Sequence, residues 1–497
     1  MKKDHSLWVE YFFIAVILLI FALFFYHTIS PLYPGLYGWD SAFFRFIGKE
    51  ILKGKTPYTD IWDNKGPVLF FIQAIGALNG TDNRKISLIF PMALLSLIIS
   101  VIFLERADTI IHHSGNRQRL QFVLKLLWGL IPLCAVAEGG NLSEDWSLPM
   151  ITCSLYLFTK YAMEAERKTN DDRNHPGRRF SHPRKYAFFH GICFSLISMI
   201  RVNNAVSICA GLLVIGIVLI AHRQWKNLFE NILFGLLGIA AATVPVGLWY
   251  LSRHALREMF YAVFVFNLKY AAAVSGVRYS GRDFLIRYLP AAISVLLIML
   301  SAIRIRKIRL IDYIAMAIVS ANLIILALNN IYSHYFVIFF PVFLFTLVLY
   351  AKIFRLSEIL PLVVMISVFI PVILPGLFYQ IRQRNHRMFP SESMFIPKSE
   401  RNSMIAIDVP AEIYLIPGME PCSRFAAYQT VHFPINPAFQ EEFIRTLEEK
   451  DPKWIIRPCW QTLPYPEIEN FILSNYEVRF EEGISYCFLR RIENDPN

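Results

Sequence analysis

The chain has 497 residues, 55% of them apolar and only 18% charged, with a mean hydropathy of +0.43; soluble domains carry about 25% charged residues. This balance excludes an ordinary soluble globule, and the 41 Phe and 23 Tyr exclude disorder and collagen-like folds. The net charge of +11 is unevenly placed, with 36 Lys+Arg against 21 Asp+Glu up to residue 378 and 13 against 17 beyond it, so the basic excess belongs to the apolar part and implies no nucleic-acid partner.

Residues 7–29 form the first apolar run, preceded by Lys2 and Lys3. No small-residue cleavage site follows it, so we read an uncleaved first helix with its N-terminus in the cytoplasm. Ten more runs fall at 86–104, 120–137, 146–163, 186–200, 205–221, 228–250, 284–303, 311–328, 335–350 and 359–378. About eleven transmembrane helices are therefore expected. Runs near spanning length also exclude an outer-membrane barrel, whose short strands alternate apolar and polar residues. Threading the spans alternately gives inner segments 1–7, 105–119, 163–185, 222–227, 304–310 and 351–358 with 20 Lys+Arg in 66 residues, against 13 in 107 for the outer loops. The asymmetry obeys the positive-inside rule and puts the C-terminus outside. The segments 66–80 and 254–275 are too short or too mixed to span and are expected as interfacial helices.

After residue 378 the character changes. A linker at 379–400 leads to a small extracytoplasmic α/β domain at 401–497, with an amphipathic helix in PAFQEEFIRTLEEKD and strands in KWIIRPCW and YEVRFEEGISYCFLRRI. Four of the seven cysteines lie in apolar runs, and none of the seven shows CxxC or Cys/His metal spacing. Cys422, Cys459 and Cys487 in the tail allow one disulfide in an oxidising compartment, with one thiol left over.

The first outer loop, 30–85, contains YGWDSAFFRFIGKEILKGKTPYTDIWDNKGPVLFF. Asp40 stands at the start of a short amphipathic segment, where a carboxylate serves equally as N-cap or helix-dipole partner. An early Asp past the first span, then a short helix, a Gly, PY and a (D/E)xKxP-like element resembles the first outer loop of GT-C glycosyltransferases. The likeness is to the protein O-mannosyltransferase and lipid A aminoarabinose transferase group, glycosyltransferase family 39-like. It extends more weakly to NLSEDWSLP at 141–149, SMIRVNN at 198–204 and YSHYFVIFFP at 332–341. The resemblance implies an α-helical polytopic membrane protein whose GT-C-like part covers 1–378, in the plasma (bacterial inner) membrane. It further implies transfer of a sugar from a polyprenyl-phosphate carrier to an extracytoplasmic glycan, lipid or protein acceptor.

In that reading Asp40 is the catalytic base and Lys65 contacts the donor phosphate. Two departures stand out. Ser41 follows the Asp where many protein O-mannosyltransferases carry an acid, and Asn64 replaces the acid of the family's EKPP, leaving Asp63 one place displaced. The chemistry agrees independently, because attack on an anomeric carbon needs a carboxylate for the acceptor's proton and cations for the departing phosphate. Arg201, His334 and Tyr335, at the outer ends of spans, are further candidates for phosphate, with a hairpin charge and an aromatic belt as their plain structural readings. Glu144 and Asp145, with Asp63, are possible acceptor or auxiliary groups. The sequence contains no metal motif and implies no certain cofactor, and a divalent ion is left open. The competing reading is a lipid-linked glycan flippase or exporter, or a polysaccharide polymerase. The first predicts mid-span charges, which are scarce, and the last a large loop between later spans.

Overall fold

The computed structural model describes residues 2–81, 87–112, 116–171, 180–273, 281–305, 308–328, 332–350, 359–385, 396–459, 462–482 and 486–492. The inner loop expected at 351–358, the centre of the basic run 167–185, Asn329 and Asn330 of the last outer loop, and much of the 379–400 linker lie outside them.

Helices dominate the first three quarters of the chain: α1 (Lys2–Phe25), α2 (Trp39–Leu52), α3 (Pro67–Ala77), α4 (Ile89–His112), α5 (Asn116–Val136), α6 (Ser143–Asp171), α7 (Arg184–Ser198), α8 (Val206–Ala221) and α9 (Trp225–Ser252). They continue with α10 (Leu256–Phe260), α11 (Asn267–Ala273), α12 (Gly281–Ile305), α13 (Leu310–Leu328), α14 (Phe339–Tyr350) and α15 (Ile359–Gln383). The tail adds β1 (Met404–Ala406), α16 (Gln429–His432), α17 (Pro437–Lys450), β2 (Trp454–Pro458), α18 (Pro466–Asn475), β3 (Tyr476–Glu482) and β4 (Tyr486–Arg491). Each apolar run of the sequence coincides with a helix: α1, α4 to α9 and α12 to α15. Among the described residues, five helical stretches, 89–112, 202–221, 225–252, 310–328 and 333–350, are long and apolar enough to cross a bilayer. The protein is a multi-pass membrane protein.

Contacts divide the chain into two compact units. The first comprises 1–32, 90–249 and 276–382. Its centre is α14, in which every residue from Phe339 to Tyr350 is buried, as expected of a helix that is apolar on all faces and packs against α5 and α12. A buried amide links α13 to α8, where Asn322 Nδ2 donates to Ser207 Oγ at 2.8 Å. Glycines bring α7 and α9 together: a Cβ at Gly238 would stand 2.0 Å from the Phe188 carbonyl oxygen.

The second unit is built from three separated stretches, 33–89, 250–275 and 383–497. Its helices α2 and α3 cross so closely at Gly48 that a Cβ there would lie 2.4 Å from the Gln73 carbonyl carbon. Its sheet has the order β1-β2-β4-β3, with β1 and β2 parallel and the other pairs antiparallel. The buried residues of α17, Phe439, Phe443 and Leu447, recur every four positions on one face, the stripe expected of a helix that covers a core. Cys459 and Cys487 form a disulfide across the β2–β4 edge, with Cα atoms 5.1 Å apart, and Cys422 is a free thiol.

Candidate functional site

The segment between α2 and α3 is fixed by its own polar atoms. The Thr56 amide donates to Asp60 Oδ2 at 2.7 Å, and the Tyr58 hydroxyl donates to the Lys65 carbonyl at 2.8 Å. Gly66 then serves as the N-cap of α3, with Pro67 in its first turn, the position where a missing N–H costs nothing. Lys65 therefore stands immediately before a helix N-terminus, where backbone N–H groups reinforce its positive charge. Its Nζ donates to Asn64 Oδ1 at 3.1 Å.

Asn64 is held in turn by Asn267, which donates from Nδ2 to the Asn64 carbonyl at 2.7 Å and accepts from Asn64 Nδ2 at 2.9 Å. Asn267 follows a π-helical turn at Tyr261–Phe266, and its amide also caps the Val263 carbonyl at 2.9 Å. Such turns widen the helix and free carbonyls that a side chain can then satisfy.

Asp63 is buried, at 3% exposure. Its Oδ1 accepts the Asn64 N–H at 2.6 Å, and its Oδ2 has no partner among the described residues. Burial pushes the carboxyl up to about 6; the nearby Asp40 charge adds to the rise, while Lys65 opposes it. Asp40 and Lys65 thus each lie within electrostatic reach of Asp63. Asp40 sits in the first turn of α2, whose N-cap is Gly38 at φ 66°, so the carboxylate acts on the helix dipole and the cap is glycine.

The tail supplies two residues that the sequence did not single out. The Tyr428 hydroxyl donates to Asp40 Oδ1, and its ring lies 5.7 Å from that of Phe43 and 6.2 Å from that of Trp39. His432, at 3% exposure, packs edge-on against Phe266 at 5.5 Å. Burial, reinforced by the Lys65 charge, lowers its imidazole to about 3, so it is neutral at any physiological pH. Neither residue belongs to a local motif, and only a long-range contact map could have pointed to them.

The remaining candidates gather in the first unit. Arg201 pairs with Glu144, and its guanidinium lies 3.9 Å from the centre of the Tyr335 ring. His334 Nδ1 meets Glu138 Oε2 at 2.6 Å. Asp145 accepts the Tyr26 hydroxyl at 2.9 Å and the Leu142 N–H at 3.0 Å. Among the described residues no three His, Cys, Asp or Glu side chains converge as metal ligands would.

No family model matches the chain, and no curated protein matches it. Among solved structures, ArnT from Cupriavidus metallidurans, bound to undecaprenyl phosphate, superposes with a TM-score of 0.57 at 12% identity, over 98% of each chain. The chain has the ArnT fold. This is the GT-C architecture that the first outer loop led us to expect. The archaeal oligosaccharyltransferase AglB from Archaeoglobus fulgidus, in complex with an inhibitory peptide and a dolichol phosphate, aligns at TM-score 0.48 and 10% identity, over 99% of this chain and 75% of its own.

Proposed function

We propose that the protein transfers a sugar from a polyprenyl-phosphate carrier to an extracytoplasmic acceptor, with Asp40 as general base. The observation that carries this reading is the cluster of Asp40, Asp63 and Lys65 in one loop-and-helix element, in a chain with the fold of a protein bound to undecaprenyl phosphate. The acceptor hydroxyl oxygen attacks the anomeric carbon, its proton passes to the Asp40 carboxylate, and the C1–O bond to phosphate breaks. The electron pair leaves with the polyprenyl phosphate. Lys65, set at the N-terminus of α3, stabilises that leaving anion.

Arg201 and His334 are retained as proposed phosphate contacts because each presents N–H donors; a phosphate there would share them with the carboxylates they meet, Glu144 and Glu138. Tyr335 would orient Arg201 by stacking. Asp63, Glu144 and Asp145 are auxiliary in this reading. The charge asymmetry of the loops supports an inner-membrane topology with Asp40 and the tail outside, and a Cys459–Cys487 disulfide suits an oxidising compartment.

The test uses protein reconstituted in nanodiscs, a panel of undecaprenyl-phosphate monosaccharides labelled in the sugar, and envelope membranes from cells lacking the protein as the source of acceptor. Label should move into the membranes and undecaprenyl phosphate should be released. Asp40→Asn should lower transfer about 10²–10⁴-fold while undecaprenyl phosphate still binds; Lys65→Ala should weaken that binding as well. Full transfer by Asp40→Asn would overturn the assignment.

A further inference from the structure

We propose that Tyr428 is a positioning residue for the Asp40 carboxylate; this rests on the reading of Asp40 as base. The phenol donates to Oδ1, and Asp40 is partly exposed, which leaves its other oxygen open to an acceptor. The two oxygens thus have different tasks. One is fixed by the tail, and the other is left to take the acceptor's proton.

Tyr428 is itself firmly placed. Its backbone lies in the left-handed region at φ 59° and ψ 31°, a conformation a bulky residue holds only where its surroundings enforce it. The enforcement comes from the next residue. Gln429 is fully buried and donates from Nε2 to the Ala406 carbonyl at 2.9 Å and the Phe425 carbonyl at 2.7 Å; its Oε1 accepts the Asp408 N–H at 2.9 Å. Asp408 Oδ1 in turn accepts the Thr430 N–H at 3.1 Å. A turn clamped to the end of β1 therefore aims the phenol at the carboxylate, with Phe43 and Trp39 packed against the ring.

A carboxylate freed from that bond rotates about its terminal torsion and spends less time aligned with the acceptor hydroxyl. The loss appears in turnover and leaves donor binding alone, because the Tyr428 hydroxyl is engaged with Asp40. A charge-assisted bond and a small misalignment together are worth about 10- to 100-fold in rate.

The experiment compares wild type, Tyr428→Phe, Asp40→Asn and the double variant with the undecaprenyl-phosphate monosaccharide transferred fastest in the panel above. Rates are normalised to folded protein by thermal melting. Tyr428→Phe keeps the ring contacts and should lower kcat about 10- to 100-fold, with KM for the donor within about twofold. In the Asp40→Asn background the same change should cost nothing further, because residues acting through one another are non-additive. Wild-type turnover by Tyr428→Phe, or the same loss in both backgrounds, would refute the positioning role while leaving Asp40 as base. Full turnover by Asp40→Asn would remove both.

Discussion

Asp63→Asn should make the protein more stable at neutral pH and no more stable in acid. Burial raises this carboxyl from its ordinary 3.8 to about 6, so the fold prefers it protonated. The stabilising protonated form is fully populated in both folded and unfolded chains below pH 3.8, and its benefit is lost as the pH climbs through 6. Above that, keeping an ionised Asp63 buried costs about 3 kcal/mol, at about 1.4 kcal/mol for each tenfold change in affinity for the proton. Asparagine keeps the oxygen that accepts the Asn64 N–H and carries no charge. Melting followed by intrinsic fluorescence in nanodiscs from pH 4 to 8 should show the variant ahead by about 5 °C at pH 7.5, the gap closing toward pH 4. An equal or lower melting temperature at pH 7.5, or a gap independent of pH, would refute the argument. A destabilising group retained beside Lys65 and Asp40 is the pattern expected where a site trades stability for activity.

Gly48→Ala should destabilise the second unit by about 1–3 kcal/mol, because the new methyl meets the Gln73 backbone on the facing helix; thermal melting reads this directly. Arg201→Ala strands the buried Glu144 and should cost about 3–5 kcal/mol, with much of that loss recovered by adding Glu144→Gln. Cys459→Ser removes the bond to Cys487 and should lower stability by about 2–4 kcal/mol. In intact cells a membrane-impermeant reductant should expose both thiols to an impermeant maleimide, and labelling only after lysis would reverse the proposed topology.

The sequence announced the helices well because bilayer-spanning runs are long and apolar, and each one it marked falls on a helix. Within the tail, the four-residue spacing of Phe439, Phe443 and Leu447 likewise marked α17. Asp40, Asp63 and Lys65 could be named because they share one loop, where spacing and residue type carry the signal. Tyr428, His432 and Asn267 could not, since each reaches the cluster from a stretch hundreds of residues away through a single side chain. Arg201 and Glu144 were both recognisable as end-of-span charges, yet their pairing depends on how α6 packs beside the α7–α8 hairpin, which periodicity does not encode.

The second unit is stitched from three stretches, the last of which begins at Gln383. Asp40 and Tyr428 stand 388 residues apart in the chain, with α4 to α9 and α12 to α15 made between them. A nascent chain must therefore thread the whole membrane portion before the partner of Asp40 exists. Chains released early would insert, and their carboxylate would lack its phenol.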